Sequence, residues 1–127
     1  MKIKSSELND ERYRYSDLPY YMLKEYIENY YSTDLSNIID SQLFNKIGLP
    51  NTSYFPKEIT SLDKIAPTEM DSYFRFQEIK GTVHDMGAAM QGGVGGHAGL
   101  FSNANDVAKI MQMYLQDGLY GNKEYFN

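Results

Sequence analysis

Residues 92–102 read Gly92-Gly93-Val94-Gly95-Gly96-His97-Ala98-Gly99-Leu100-Phe101-Ser102, a glycine loop that carries one imidazole and runs into a capped amphipathic helix. Five glycines in eight residues raise the entropic cost of folding and supply no side chain, so core packing does not explain them. Close approach of the backbone, or positive φ, explains them better. The loop is therefore predicted to form the wall of a pocket.

The composition of the chain fits one modest domain and excludes several classes of partner. The chain has 127 residues, of which 42% are hydrophobic. It carries 12 basic and 17 acidic residues without a basic block, which disfavours binding to nucleic acid or to an anionic membrane. It has no cysteine, so disulfides and thiolate metal sites are excluded while the redox compartment stays open.

The two ends of the chain differ in their predicted order. Residues 1–12 are interpreted as a flexible N-terminal segment, and they lack the apolar stretch of an export signal. No later run approaches the roughly 20 apolar residues that a membrane span needs. No repeat or linker divides the remainder, so residues 13–127 are expected to form one domain.

Two helices are predicted in the first half of the chain. The first begins at Ser16 or Asp17, either of which can cap it, tolerates Pro19 in its first turn, and runs to about Tyr31. The second follows residues 33–34 and stops at Gly48. In the first helix, Leu23, Ile27 and Tyr30 have the spacing of a buried helical face, and Met22 and Tyr26 extend that face. In the second helix, the residues at this spacing are Leu35, Ile38, Ile39, Leu43 and Ile47.

The second half is less regular. Residues 51–81 lose helical periodicity, and 65–69 with 73–79 are interpreted as a small hairpin. A helical turn is predicted at 84–90, and a third helix after Ser102 or Asn103, ending near Gly118. Its predicted buried residues are Val107, Ile110, Met111, Tyr114 and Leu115. The predicted fold class is mainly α, with long irregular loops and at most a small β-hairpin.

The order of several short motifs resembles one family. The motifs are Tyr15-Ser16-Asp17 at a helix entrance, Ile47-Gly48-Leu49-Pro50-Asn51-Thr52, Ile65-Ala66-Pro67-Thr68-Glu69, Val83-His84-Asp85, the glycine loop and Asp106-Val107-Ala108. Together they resemble the serine hydrolases of the class C β-lactamase and penicillin-binding-protein superfamily, above all the bacterial β-lactamase-type domain fused to family 3 glycoside hydrolases. The resemblance implies that residues 13–127 are the helical lobe of a larger domain, packed in the parent protein against an α/β lobe.

Family members work with a Ser-x-x-Lys pair, a Tyr-x-Asn element and a Lys/His-Thr/Ser-Gly strand. The resemblance assigns Tyr15 to the second element, where the hydroxyl relays a proton and needs a pKa lowered from about 10. Asp17 stands where asparagine is usual, and a carboxylate accepts hydrogen bonds but cannot donate the amide N–H. A direct role of Asp17 toward substrate and a role as helix cap both stay open.

Two stretches match the first and third family elements by sequence alone. Ser61-Leu62-Asp63-Lys64 matches Ser-x-x-Lys literally, but it lies in a proline-punctuated loop and follows the tyrosine, whereas the family places the nucleophile before it. The stretch from His97 to Gly99 imitates the third element. The residues that follow it identify it instead as the loop before a helix that forms one rim of the substrate cleft. The predicted cleft residues are Gly96, His97, Ala98 and Gly99.

The histidines have structural and functional interpretations. His97 either fixes the loop by a hydrogen bond or contacts substrate, and His84 is a weaker candidate. The two histidines and Asp85 show no recognisable ligand spacing, so neither a metal nor another cofactor is predicted. Glu69, Asp71 and Arg75 are interpreted as a structural ion cluster rather than a site.

Two functions remain open on the sequence. The resemblance implies a parent serine hydrolase that acts through an acyl-enzyme on a β-lactam, a peptidoglycan-type peptide or a small ester, in a periplasmic or other extracytoplasmic location. The chain alone is then expected to be inactive, because it lacks a nucleophile. Its partners would be that substrate and the remainder of the hydrolase domain, and its exposed faces would promote self-association. The alternative is a non-catalytic module that binds cell-wall glycan or peptide.

Overall fold

A computed structural model describes residues 13–126, so the interpretation of residues 1–12 as a flexible segment lies outside the described residues. The helices are α1 (Leu18–Tyr31), α2 (Leu35–Ile39), α3 (Asn45–Ile47), α4 (Pro56–Ile59), α5 (Met86–Met90) and α6 (Ala104–Leu115), with a π-helical turn at Asp40–Phe44 and a 3-10 turn at Leu62–Lys64. The strands are β1 (Pro67–Asp71), β2 (Gln77–Lys80), β3 (Leu119–Tyr120) and β4 (Lys123–Glu124). The predicted fold class is confirmed.

Helix α1 has the predicted bounds but not the predicted burial. Pro19 lies in its first turn, where a missing N–H costs nothing, and Ser32 ends it in the left-handed conformation. Ser16 Oγ accepts a hydrogen bond from the Leu18 N–H at 3.2 Å, whereas Asp17 makes no side-chain cap bond. No side chain of α1 is buried, and Leu23 is 53% exposed. Of the predicted buried face of α1, only Ile27 is half-buried, and the rest is exposed.

The core lies between the second helical segment and α6. Its buried members are Phe44, Ile47, Leu49 and Met113, and the partly buried ones packed against them are Ile39, Leu43, Ile110, Tyr120 and Tyr125. The predicted buried face of the second helix is confirmed for Leu35, Ile38 and Ile47. Phe44 was not predicted, because the π-helical turn inserts a residue and shifts the phase of the helical repeat.

Helix α6 turns a different face to the core than its sequence predicts. Its cap is the predicted one, since the Asn103 side chain accepts a hydrogen bond from the Asp106 N–H at 2.9 Å. The buried residues of α6 are Asp106 and Met113, with Ile110 partly buried. The rest of the predicted buried face, namely Val107, Met111, Tyr114 and Leu115, is exposed. The prediction was wrong there because α6 has two apolar faces and only one has a partner in the described chain.

Two short antiparallel hairpins complete the fold. Strands β1 and β2 form the predicted hairpin, with a register irregularity between Pro67 and Glu69. Strands β3 and β4 pair two residues each and were not predicted. An isolated antiparallel bridge joins Ser53 to Phe101 and ties the end of the glycine loop to the irregular connection. Among residues 13–126, no helix is long and apolar enough to cross a membrane.

Candidate active site

Three separate segments meet at the entrance of α1. They are Tyr15-Ser16-Asp17, the segment that ends at Asp85, and the glycine loop at His97. One carboxylate oxygen each of Asp17 and Asp85 and one ring nitrogen of His97 lie within 4.8 Å of one another. The structure therefore brings together three of the residues that the sequence analysis singled out, and the role of Asp85 as the residue that joins the other two was not predicted.

Tyr15 and Asp17 form the outer half of this cluster. The Tyr15 hydroxyl donates a hydrogen bond to Asp17 Oδ1 at 2.9 Å, and the Tyr15 ring is 79% exposed. The hydrogen bond to Asp17, followed by the negative charge of Asp17, raises the pKa of Tyr15 above its ordinary value. A proton relay near neutral pH needs the opposite direction, so it requires cationic groups that offset the Asp17 carboxylate.

Replacing Asp17 with asparagine is expected to lower the pKa of Tyr15, because the substitution removes the charge and the acceptor that stabilise the protonated phenol. The titration of the Tyr15 ring, followed by the NMR shift of its Cζ between pH 8 and 12, measures the change. Asp34→Asn is the matched control, since Asp34 begins a helix without a side-chain cap bond. An unchanged Tyr15 titration in Asp17→Asn would show that the hydrogen bond is not formed in solution.

Asp85 and His97 form the inner half. Asp85 Oδ1 accepts hydrogen bonds from the Ala88 N–H, at 2.7 Å, and from His97 Nε2, at 2.9 Å. Burial is the largest single effect and raises the pKa of Asp85, but these two hydrogen bonds together with the electrostatic effects of His97 and His84 hold the pKa below its ordinary value. The His97 side chain is only 7% exposed and packs against the Tyr21 ring, with 4.9 Å between the ring centroids. Asp85 is therefore an ionised cap of α5 that also holds the imidazole.

Glycines place the loop against α1. A Cβ atom on Gly96 would lie 2.6 Å from the Tyr20 carbonyl oxygen, and one on Gly99, at φ 120°, would lie 2.2 Å from the Gly93 carbonyl oxygen. Lys24 Nζ also donates a hydrogen bond to the Val94 carbonyl at 2.6 Å. The predicted close approach is confirmed, and the partner of the loop is the chain itself.

An ion pair fixes the segment that leads to Asp85. Asp71 accepts hydrogen bonds from three backbone N–H groups, of residues 73–75, and from Arg75 Nε at 3.0 Å. The Arg75 guanidinium also donates to the carbonyl groups of Val83, at 2.7 Å, and of His84. The structural interpretation of Asp71 and Arg75 is thus supported by contacts that hold the entry to the site.

Acid is expected to weaken the ion pair and hydrogen bonds of Asp71. The Phe74 N–H first, and then Arg75 and further backbone donors, hold the pKa of Asp71 far below its ordinary value of about 3.9 against the opposing effect of burial. A carboxylate with a lowered folded-state pKa stabilises the fold fully above its unfolded pKa, and the contribution is lost as pH falls below about 4.

The corresponding variant is Asp71→Asn. Its free energy of unfolding is expected to be lower than that of the wild type at pH 7, and the difference should shrink as the pH falls from 4 to 2. Urea titrations followed by near-UV circular dichroism of the tyrosines measure both values, with Asp34→Asn as control. A difference that stays constant over this pH range would contradict the assigned role of the Asp71 charge.

A cleft adjoins the cluster. It has a volume of about 870 Å³ and is lined by residues of the irregular connection, by residues 83–85 and by residues 98–103. Of the predicted site residues, His84, Ala98 and Gly99 line this cleft, whereas Tyr15, Asp17, Gly96 and His97 do not. Asp85 belongs to both the cleft and the cluster, so the two are adjacent.

The literal Ser-x-x-Lys match at residues 61–64 lies on a short exposed turn. Ser61 precedes a single 3-10 turn that Lys64 ends, both residues are exposed, and Lys64 also lines the cleft. The family chemistry needs the serine at the start of a buried helix with the lysine one turn on. The geometry of residues 61–64 therefore supports the rejection of this match.

The donor set of Asp17, Asp85 and His97 also suits a divalent metal ion. Two carboxylates and one imidazole are ordinary ligands, and their chain positions follow no short spacing that a sequence motif could reveal. Within residues 13–126, a hydrogen bond from His97 to Asp85 already accounts for the closeness of these two side chains. The expectation of no metal stays a prediction.

Comparisons with known proteins agree on one family. The family model described as Beta-lactamase matches residues 3–125. Curated relatives include proteins described as "Putative D-alanyl-D-alanine carboxypeptidase" from Salmonella agona (strain SL483), 36% identical over 126 residues, and from Escherichia coli (strain K12), 35% identical over 125 residues. Each match covers 89% of this chain and 29% of the relative, so the chain spans less than a third of their length. No solved structure was found to match the chain.

Proposed function

The chain belongs to the β-lactamase family of serine hydrolases, and on that premise we propose that it is the helical lobe of a hydrolase that acts through an acyl-enzyme on an amide or ester. The observation that carries the proposal is the Tyr15 hydroxyl on Asp17 at the entrance of α1, close to the Asp85–His97 pair and next to a cleft that Asp85 lines. In this proposal the Tyr15 hydroxyl relays the proton, and the cleft that Asp85 lines next to the cluster offers space for a substrate.

The proposed substrate is a peptide that ends in D-alanyl-D-alanine, with β-lactams and small esters as further members of the same reaction class. The description of the relatives as carboxypeptidases supports this choice. Such peptides belong to the cell wall, so the proposal places the parent protein in the periplasm or another extracytoplasmic compartment. The serine nucleophile and its lysine base would come from the remainder of the parent hydrolase, and residues 1–127 alone would not turn over substrate.

The turnover test uses the full-length protein. Release of D-alanine from a D-alanyl-D-alanine peptide, hydrolysis of a chromogenic cephalosporin and hydrolysis of a nitrophenyl ester are measured side by side, with the isolated 127-residue chain as control. The proposal predicts turnover of at least one substrate by the full-length protein and none by the isolated chain. Turnover by the isolated chain, or tight binding of the peptide without turnover by the full-length protein, would contradict it.

A binding module on the same fold is the second candidate function. The observation that favours it is a row of exposed tyrosines on α1, where the rings of Tyr26 and Tyr30 lie nearly parallel with 6.4 Å between their centroids. Exposed aromatic faces offer flat apolar surface to a glycan or peptide. The absence of turnover together with saturable binding of cell-wall fragments, lost in Tyr26→Ala, would select this candidate.

The exposed apolar faces of α1 and α6 fit a role as one lobe of a larger domain. Leu23, Met111 and Leu115 are all exposed, although each lies on the apolar face of its helix. Exposed patches of this kind in a soluble protein mark an interface. The proposed partner is the remainder of the hydrolase domain, and in its absence the faces are expected to meet a second copy of the chain.

A charge placed on these faces is expected to act differently in the isolated chain and in the full-length protein. Met111→Glu should reduce self-association of the isolated chain in sedimentation velocity, because it places a carboxylate in the contact. In the full-length protein it should lower the free energy of unfolding by at least about 1.5 kcal/mol, because a buried methionine side chain is lost. Gln112→Glu on the same helix is the control. A monomeric wild-type chain, or a full-length protein that tolerates Met111→Glu, would contradict the assignment.

A further inference from the structure

Two ionisable residues beside Tyr15 have no part in the proposed reaction. Asp85 and His97 do not contact the Tyr15 hydroxyl, yet their carboxylate oxygen and ring nitrogen lie within 4.8 Å of a carboxylate oxygen of Asp17. An ionised carboxylate only accepts hydrogen bonds, so the 2.9 Å contact requires that His97 Nε2 carry a proton and donate it to Asp85. The His97 ring, polarised by this hydrogen bond, therefore has a nitrogen within 4.8 Å of a carboxylate oxygen of Asp17.

The Asp85–His97 pair is held rigidly. Asp85 caps α5 through the Ala88 N–H, and the preceding carbonyl groups, of Val83 and His84, accept hydrogen bonds from Arg75. His97 is almost fully buried, packs on the Tyr21 ring and follows a glycine that approaches the Tyr20 carbonyl closely. Neither side chain can turn away without breaking several of these contacts.

Asp17 has far fewer restraints. Its backbone is in the helical region at φ −81° and ψ −13°, so its side chain makes no cap bond that would fix the carboxylate. Its hydrogen-bond partner in the structure is the exposed Tyr15 hydroxyl. Two carboxylates this close repel each other, and the imidazole N–H that His97 donates to Asp85 offsets part of this repulsion. The orientation of the Asp17 carboxylate therefore depends on the charge distribution of the Asp85–His97 pair.

We propose that Asp85 and His97 act together as positioning residues that hold the Asp17 carboxylate against the Tyr15 hydroxyl. The geometric part of this proposal stands on the cluster alone, and its consequence for the reaction rests on the proposed function. Removing the imidazole leaves Asp17 beside an uncompensated carboxylate, and Asp17 then turns outward and releases Tyr15.

The first test needs no enzymatic activity. Fluorotyrosine is incorporated at position 15 of the full-length protein, and its fluorine resonance is recorded at pH 7. We expect His97→Ala to move the resonance in the same direction as Asp17→Asn does, and His97→Gln, which keeps an N–H donor, to move it less. In an Asp17→Asn background, His97→Ala should add no further shift. A resonance that responds to Asp17→Asn but not to His97→Ala would overturn the proposal.

The second test is a kinetic double-mutant cycle in the full-length protein, with folding of each variant checked by near-UV circular dichroism. His97→Ala should lower kcat about tenfold with little change in KM, since small misplacements of a reacting group cost rate rather than binding. His97→Gln should restore part of the loss, and the effects of His97→Ala and Asp17→Asn should not add. Additive losses, or a change in KM alone, would overturn the proposal. If no variant turns over substrate, the proposed function fails, but the fluorine resonance still tests whether Asp85 and His97 position Asp17. Failure of the proposed function and failure of the positioning proposal are therefore distinguishable.

Discussion

Asp106→Ala is expected to lower the free energy of unfolding of the chain by about 1–3 kcal/mol, the usual cost of a donor left unsatisfied, because the Asn51 N–H loses its partner while Thr52 Oγ1 keeps its hydrogen bond with Ser102 Oγ. Asp106 is 1% exposed, and its Oδ2 accepts hydrogen bonds from the Asn51 N–H at 2.8 Å and from Thr52 Oγ1 at 3.2 Å. The carboxylate also lies in the first turn of α6, where negative charge is favourable. The loss is a large fraction of the stability of a domain with so small a core.

Urea unfolding followed by far-UV circular dichroism measures this change. Asn105→Ala is the matched control, since Asn105 is the exposed neighbour on the same helix and should stay within about 0.5 kcal/mol of the wild type. If Asp106→Ala also stays within that range, the Asn51–Thr52 turn is not held by Asp106 in solution. The anchoring of the glycine loop through the Ser53–Phe101 bridge would then need another explanation.

The second large effect is expected from Tyr15→Phe in the full-length protein. The substitution removes one hydroxyl from an exposed ring, so the fold should be unchanged. If that hydroxyl relays the proton of the acyl-transfer step, kcat should fall by about 10²–10⁴-fold, the usual contribution of a positioned acid or base. Steady-state kinetics on the substrate with the highest turnover measures the loss.

Tyr13→Phe is the control for this prediction, because Tyr13 is even more exposed and precedes Tyr15 by two residues. Tyr13→Phe should leave kcat within about twofold of the wild-type value, whereas general acid–base catalysis predicts a large loss for Tyr15→Phe. Equal kcat values for Tyr15→Phe and the wild type would remove Tyr15 from the reaction. The assignment of the Tyr15-Ser16-Asp17 motif as the second catalytic element would then be wrong.

The bounds of α1, of the second helical segment and of α6 could be predicted from the sequence because their signals are local, whereas α4 was not predicted. Pro19 near the start of α1, Asn103 before α6 and Gly48 after α3 act within one turn of their own position. Burial is not local. The periodicity of α6 supports two apolar faces, and only the position of Phe44 and Leu49 on the other side of the core decides that Met113 is buried.

The candidate site was predicted only in part for the same reason. Tyr15, Asp17 and His97 were identified by their motifs, but the contact between His97 and Asp85 joins residues 12 positions apart around a helix and a loop. An aspartate three residues before a helical alanine is a local sign of a cap, and it could have pointed to Asp85. Nothing local could have pointed to the buried contact of Asp106, whose partner Asn51 lies 55 positions upstream.

The measurement that tests the central claim most directly is the intact mass of the full-length protein after incubation with benzylpenicillin, followed by peptide mapping. The account predicts one adduct of the mass of the ring-opened drug per molecule, on the serine of a Ser-x-x-Lys pair that precedes Tyr15 in the parent sequence, and no adduct on the isolated chain. An adduct on Ser61 would contradict the rejection of that motif. An unmodified protein that nevertheless binds cell-wall peptides would contradict the acyl-enzyme itself and leave the binding module as its function.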